Sequence, residues 1–373
     1  MTKRVHFTPL AESLPSTVPF VGPEAQERAR GATFAARLGA NENGFGPSQA
    51  AQDAMARAAR EAWQYPDPEN HDLARALARS CGVAAQNVAI DTGIDTLLGL
   101  LVRLMISSGD SVVTSHGAYP TFLYHVAGFG GTVHTVPYQE DHEDPQALIA
   151  KARETGAKLI YFANPDNPMG TVHRADTVAQ MIAAVPPGCL LILDEAYVEL
   201  APQGTSPDIG ADDPRVIRMR TFSKAYGLAG ARVGYALGHP DLIAGFNKVR
   251  NHFGMSRISQ AGAIAALADT DHLAQITTLV SQSRQRIYEI AQANGLTAIP
   301  SATNFVAIDC GRDGNYARRV LARLIDAGIF VRMPGIAPLD RCIRVSCGPQ
   351  NDMALFAKAL PQALVDTVQK ESA

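Results

Sequence analysis

The chain has 373 residues, 46% of them apolar and 18% charged, with a formal net charge of -3. That length exceeds what one small core organises and suits a large domain joined to a smaller one. The balanced charge, without a basic run, argues against a nucleic-acid partner, and no apolar stretch approaches the length of a membrane span.

In chain order, residues up to about Asn43 carry Pro9, Pro15, Pro19 and Pro23 and read as an irregular arm. The opening Met1-Thr2-Lys3-Arg4-Val5-His6-Phe7 lacks the apolar stretch of a secretory signal. Strand and helix patterns then alternate. Val88–Asp91 reads as a strand and Ile94–Met105 as a helix; Ser111–Ser115 and Tyr119–Ala127 repeat the pair. The cluster Glu140-Asp141-His142-Glu143-Asp144 reads as a solvated loop rather than a metal site. Lys158–Phe162 is a further strand and Arg174–Ala184 a further helix. Cys189–Leu193 is an unbroken apolar run, the mark of a strand buried on both faces of a parallel sheet. From about Gly254 the pattern changes to long helices, Ser256–Leu267 and His272–Asn294. The short strands Asn304–Asp309 and Cys342–Ser346 then flank the helix Tyr316–Ala327.

This order predicts an α/β chain: a large domain with a mostly parallel sheet covered by helices, then a smaller α+β C-terminal domain. The expected division is an N-terminal arm over 1–43 packing with the small domain, a large domain over 44–253 and a small domain over 254–373. Ligands of such sheets sit at the carboxyl ends of the strands, where Gly93, Asn164 and Asp194 fall. Five scattered cysteines without CxxC spacing suit reduced thiols in a cytoplasmic protein, with packing the expected role of Cys189 and Cys310. The ten histidines show no consistent metal spacing.

Chemistry concentrates around Lys224. In Thr221-Phe222-Ser223-Lys224-Ala225-Tyr226-Gly227 one amine is boxed by two hydroxyls, and Arg232 follows after Gly227 and Gly230. Hydroxyls and a guanidinium suit an anionic phosphate, and a lysine beside a phosphate site suits a Schiff base with pyridoxal phosphate. Asp91-Thr92-Gly93-Ile94-Asp95-Thr96 places a glycine turn at a helix start, where free N–H groups bind phosphate and Asp95 is expected to cap. Asp194, ending the buried strand, needs a cationic partner, and a protonated pyridine nitrogen is suitable; Tyr197 could donate to a phenolate oxygen. Asn167 lies in the proline-punctuated turn Asn164–Gly170 and could do the same. Alternation in Cys342–Ser346 puts Arg344 opposite Ile343 and Val345, towards an interior cleft, where its fork suits a carboxylate. Tyr119 could stack on a cofactor ring. Each segment alone also reads as an ordinary cap, turn, core tyrosine or solvent-facing charge.

Together they resemble the fold-type I pyridoxal phosphate aminotransferases, nearest to the branch of histidinol-phosphate aminotransferase and its aromatic amino acid relatives. Asn41-Glu42-Asn43, Tyr65-Pro66-Asp67-Pro68, the Asn164–Gly170 turn, Asp194-Glu195-Ala196-Tyr197, the Lys224 segment and Ile343-Arg344-Val345-Ser346 stand in the family's order and approximate spacing. The resemblance implies that Lys224 carries the cofactor as a Schiff base and that Asp194 pairs with the pyridinium. It implies that Tyr197 and Asn167 bind the phenolate oxygen and Tyr119 stacks on the ring. It further implies that Ile94 and Asp95 (after Gly93), Thr221, Ser223 and Arg232 hold the phosphate. Tyr65 is then the residue that reaches the neighbouring subunit's phosphate, which implies a homodimer. Arg344, Arg332, Asn41 and Phe20 fall on the substrate side, with an amino acid and a 2-oxo acid such as 2-oxoglutarate as substrates.

The chain departs from the family pattern where the amino donor is chosen. Phe20, in Val18-Pro19-Phe20, replaces a tyrosine whose hydroxyl serves a substrate phosphate, whereas Arg332 is retained. Asn43-Gly44-Phe45-Gly46 and Asn251-His252-Phe253-Gly254 lack the usual prolines. Phe20 favours an aromatic donor, and Arg332 leaves histidinol phosphate open. Two other uses of the same cofactor site are a decarboxylase of the threonine-phosphate type and a non-catalytic regulator module.

Overall fold

The computed structural model describes residues 5–16 and 21–369. Phe20 and its neighbours Val18 and Pro19 lie outside them. The arm is more regular than its prolines suggest: helices span Pro9–Ser13 and Pro23–Arg30 before strand β1 (Ala36–Arg37). Each helix begins on a proline, which fits a first turn because the missing N–H has no intrahelical acceptor to lose.

The central sheet contains β2 (Val88–Asp91), β3 (Ser111–Ser115), β4 (Thr132–Val136), β5 (Leu159–Ala163), β6 (Leu190–Asp194), β7 (Val216–Thr221) and β8 (Gly234–Leu237). Their spatial order is β2-β8-β7-β6-β5-β3-β4. From β4 to β7 the pairs are parallel, while β8 runs antiparallel to both β7 and β2. Every residue of β5 and β6 is buried, as their apolar runs require. Tyr161 and Ile192 face a layer formed with Leu97, Leu101, Phe122 and Phe246, whereas Phe162, Leu191 and Leu193 face Leu148, Val178 and Met181. Each such side chain stabilises the layer by roughly 1.5–3 kcal/mol. Period-two alternation puts Asp194 on the Tyr161 face at the end of β6.

The C-terminal part carries β9 (Thr297–Ala298), β10 (Phe305–Asp309), β11 (Ile329–Phe330) and β12 (Cys342–Ser346). An antiparallel sheet β12-β10-β9 packs against helices Thr270–Ala293, Gly314–Asp326 and Gln350–Gln369 through Ile276, Val280, Ile287, Leu324, Phe356 and Leu360. β1 pairs parallel with β11, Ala36 opposite Ile329, so the arm joins this part of the molecule. Sequence patterning misses β4, β7 and β8, and the helices Gln49–Ala59, His71–Cys81, Pro145–Thr155 and Gln350–Gln369. β7 is hidden because Arg218 and Arg220 interrupt its apolar character; both turn to the buried carboxylate of Glu195, Nε to Oε2 at 3.0 and 2.8 Å.

One charge cluster is not what its composition suggests. Within 140–144, Glu143 is buried, its carboxylate accepting from Ser115 Oγ at 2.6 Å and the Ala163 N–H at 2.9 Å. The ends of β3 and β5 supply the donors that let a carboxyl leave water, which a reading of the local sequence cannot see. No helix of the described residues is long and apolar enough to cross a membrane.

Candidate active site

A cavity of about 700 Å³ opens at the carboxyl ends of β5, β6 and β7. Its wall includes Asn41, Ile94, Asp95, Tyr119, Asn167, Asp194, Tyr197, Thr221, Ser223, Lys224, Arg232, Arg332 and Arg344. The structure thus gathers residues 303 positions apart in sequence into one site. Gly93 and Tyr65 contribute nothing to its surface: Gly93 lies directly behind Arg232, and Tyr65 is 79% exposed, its ring 5.0 Å from that of Phe253.

Lys224 sits in the turn after β7. Its Nζ donates to the Asn41 carbonyl at 3.1 Å and lies 5.6 Å from the centre of the Tyr197 ring, and among the described residues it makes no ion pair. Burial, and after it the positive charge of Arg344, hold its pKa down to about 8, so the amine is readily neutral and nucleophilic. Asn41, at a positive φ of 54°, ties the region together. It donates to the Tyr197 hydroxyl at 3.1 Å, and its backbone bonds Ser346 Oγ at 3.0 Å and Asn304 Nδ2 at 3.0 Å.

Asp194 has hydrogen-bond donors but, among the described residues, no cation within ion-pair distance. Tyr161 donates to Oδ2 at 2.6 Å and the Ala196 N–H to Oδ1 at 2.9 Å. Burial lifts its carboxyl to about 6, against the lowering effect of these donors. Tyr161 is a site residue that the sequence reading missed; the signal was a hydroxyl inside an otherwise apolar strand beside the one ending in Asp194.

The phosphate end is built on glycine geometry. Gly93 has φ 93° and ψ 167°, a region open essentially to glycine alone, and a Cβ there would collide with the Arg232 guanidinium. A Cβ on Gly234 would come within 2.7 Å of the Gly93 carbonyl carbon and the Ile94 nitrogen, so bare backbone lets β8 lie against this turn. Helix Ile94–Met105 therefore begins at the cavity, its first N–H groups without intrahelical acceptors. Arg232 Nη1 reaches Ser223 Oγ at 3.3 Å, and Thr221 Oγ1 accepts from the Ser223 N–H at 3.0 Å. Asp95 does not cap the helix, which has no side-chain cap; its carboxylate accepts from the Tyr119 hydroxyl at 2.9 Å instead. That bond anchors Tyr119 at the edge of the cavity.

At the opposite wall Arg344 Nη1 donates to Asn167 Oδ1 at 2.5 Å. A guanidinium can only donate, so Asn167 must present its oxygen there and keep its amide N–H groups for the cavity. Arg344 Nε is buried with no hydrogen-bond partner among the described residues. Arg332 exchanges backbone bonds with Arg344 at 2.6 and 3.2 Å and donates from Nη2 to the Val21 carbonyl at 2.9 Å. Among the described residues neither arginine has a carboxylate within 4 Å, and burial lowers the pKa of both.

These features fit pyridoxal phosphate. Lys224 supplies a nucleophilic amine, and Asp194 a buried carboxylate short of a cation. Asn167 and Tyr197 supply donors, while the Arg232 end supplies an anion cradle at a helix N-terminus, with Gly93 behind the guanidinium. Comparison with known proteins agrees. The family model for aminotransferase class I and II matches residues 36–360. A crystal structure of histidinol-phosphate aminotransferase from Sinorhizobium meliloti in complex with pyridoxal-5'-phosphate superposes with a TM-score of 0.95. Identity is 55%, covering 98% of this chain and 99% of that one. Histidinol-phosphate aminotransferase from Moorella thermoacetica is 32% identical over 91% of this chain and 88% of its own length. An aromatic amino acid aminotransferase from Nocardia farcinica is 36% identical over 87% and 90%. The chain belongs to the class I and II aminotransferases, pyridoxal phosphate-dependent enzymes that move an amino group between amino acids and 2-oxo acids.

Proposed function

We propose that the amino donor of this transaminase is histidinol phosphate, and the acceptor a 2-oxo acid such as 2-oxoglutarate, exchanged by a ping-pong mechanism in a cytoplasmic homodimer. The observation that carries the donor is the Arg332–Arg344 pair: two guanidinia on one cavity wall, neither with a carboxylate within 4 Å among the described residues. A dianionic phosphate, or the distal carboxylate of a dicarboxylic oxo acid, would satisfy both. Val21, Leu123, Met333 and Ile336 add an apolar wall for a flat ring. That wall, with Arg332 already bonded to the Val21 carbonyl, also supports a second reading in which the donor is an aromatic amino acid held by Arg344 alone.

Bound pyridoxal phosphate supplies the electron sink that lets a proton leave the amine-bearing carbon of the substrate. Lys224 would hold it, and its amine, when free, would be the base that takes that proton and returns it as an acid; a pKa of about 8 suits both duties near neutrality. Asp194 keeps the ring nitrogen protonated, with Tyr161 and the Ala196 N–H fixing its two oxygens. Asn167 and Tyr197 donate to the ring oxygen, and Tyr119 stacks on the ring. The N–H groups of Ile94 and Asp95 grip the phosphate with Thr221, Ser223 and Arg232, while Gly93 makes room for the guanidinium. Asn41 orients Tyr197 and receives Lys224. Exposed Tyr65 reaches the partner subunit's phosphate. We also divide the chain into arm, cofactor domain and small domain, at about residue 43 and after helix Arg257–Ala268 rather than at 253, because Met255, Ala263 and Ala266 share one core with Leu73, Val88 and Tyr235. Five unpaired thiols fit a reducing cytoplasm.

A half-reaction screen tests the donor. The cofactor-loaded enzyme is mixed with histidinol phosphate, phenylalanine or tyrosine, and loss of its visible absorption is followed. Histidinol phosphate is expected to react with the highest efficiency; reaction with the aromatic amino acids and none with histidinol phosphate would establish the second reading.

A further inference from the structure

Behind the Asn164–Gly170 turn lie two acids that no step above uses. Glu143 and Asp166 are 1% and 2% exposed, and among the described residues neither makes an ion pair. Each holds the fold by the same device. One oxygen accepts from a backbone N–H: Ala163 to Glu143 Oε1 at 2.9 Å, and Met169 to Asp166 Oδ2 at 2.9 Å. The other faces a hydroxyl: Ser115 to Glu143 Oε2 at 2.6 Å, and Tyr138 to Asp166 Oδ1 at 2.8 Å. A hydroxyl donates to a carboxylate and accepts from a carboxyl. Either acid can therefore gain or lose a proton without moving a heavy atom.

We propose that Glu143 and Asp166 are a pair of positioning residues that share one proton and hold the Asn164–Gly170 turn so that Asn167 meets both Arg344 and the cofactor's ring oxygen. Three observations support this. Asp166 bonds the turn from within, through the Met169 N–H and through its own backbone N–H to the Thr171 carbonyl at 2.9 Å. Glu143 bonds the ends of β3 and β5 from beneath, and its backbone carbonyl contacts the His173 ring at 2.8 Å. The groups facing the pair cannot neutralise two charges. Tyr138 and Tyr161 are phenols, Asp194 is a third acid, and burial keeps His173 neutral by lowering its pKa. Arg344, whose charge lowers Asp166, gives its hydrogen bond to Asn167. Asp141 and Asp144 turn away, to Arg341 and to a helix N-terminus. Burial raises both acids, Asp166 to about 7 and Glu143 well above the ordinary carboxyl value, so the interior tolerates one charge here and resists a second.

Because folding raises these pKa values, the stability they contribute is complete in acid and lost as pH rises through the folded values. The part of the inference that concerns the cofactor rests on the role given to Asn167; the part that concerns the fold does not. The test uses the full-length enzyme stripped of cofactor, in wild-type form and as Glu143→Gln and Asp166→Asn. The amides keep each hydrogen bond, since the Ser115 and Tyr138 hydroxyls can accept. Melting temperature and the Kd for pyridoxal phosphate are measured from about pH 6 to about pH 9. Wild-type Kd relative to that of either amide variant should rise by about tenfold or more across that range, with a parallel loss of melting temperature relative to the variants. Should an amide variant not fold, Tyr138→Phe serves instead: the Asp166 carboxylate loses a donor, so the alkaline limb moves to higher pH. Superimposable pH profiles for wild type and variants would overturn the proton-sharing pair. A difference in melting without one in Kd would overturn its action on the cofactor through Asn167.

Discussion

Gly93→Ala perturbs the site at one atom and its cost can be worked out. The residue sits at φ 93° and ψ 167°, where a non-glycine backbone costs about 1–3 kcal/mol. The new methyl would also lie on Arg232 Nη2 and 3.2 Å from its Cζ. Arg232 has little freedom to yield, because it is itself at φ 54° and donates to Ser223 Oγ at 3.3 Å and the Ala229 carbonyl at 3.0 Å. Displacing it removes a charge-assisted bond to the cofactor phosphate, worth about 1.5–3 kcal/mol. At about 1.4 kcal/mol per decade, the Kd for pyridoxal phosphate should rise by about 10- to 150-fold. Titrating the cofactor-free protein and following its absorption measures this directly. Gly230→Ala is the control: it has no neighbour within 4 Å of the added methyl and no positive φ, so it should bind as wild type does. A Gly93→Ala variant within about twofold of wild type would show that Arg232 does not hold the phosphate from behind Gly93.

Asp194→Ala removes the buried counter-charge while leaving Lys224 to capture the cofactor. The loss of about 3–5 kcal/mol expected for breaking a buried ion pair should lower kcat by about 160- to 5,000-fold, measured by steady-state transamination. The rate of cofactor capture by the stripped enzyme should rise with pH through about 8, the value of Lys224. Arg344→Gln takes away a neighbouring positive charge and should move that midpoint upward; stopped-flow absorption at a series of pH values reads it. If Tyr65 serves the partner's site, mixing inactive Tyr65→Ala and Lys224→Ala dimers and allowing subunits to exchange should restore activity, because one site of each hybrid is complete.

How much could be read in advance followed from how local each signal was. The Lys224 segment carries its hydroxyls, glycines and arginine within a dozen residues, so composition alone pointed to phosphate chemistry. Asp194 was legible because an apolar run ended in a charge, and Arg344 because strand alternation separates it from Ile343 and Val345. Signals made by distant partners were not legible. Glu143 looked solvated because Ser115 and Ala163, which satisfy it, lie on other strands. Asp95 looked like a cap because nothing in the sequence announced that Tyr119 would reach its carboxylate. Strand β7 was obscured by two arginines whose partner, Glu195, is 23 to 25 residues away. Pro9 and Pro23 in the arm read as breakers, yet they begin helices, since a break and an N-terminus share the same residue. Arg332, which bears on the proposed donor, is a side-chain choice within a shared fold, so its contribution leaves no trace in secondary-structure patterning.

The central claim is that Lys224 carries the cofactor. Reducing the loaded enzyme with borohydride, digesting it and locating the pyridoxyl mass by peptide sequencing tests it most directly. The account predicts the added mass on Lys224, in the peptide following Thr221-Phe222-Ser223, and its disappearance in Lys224→Ala. The same mass on another lysine, or a loaded enzyme that carries none, would contradict it.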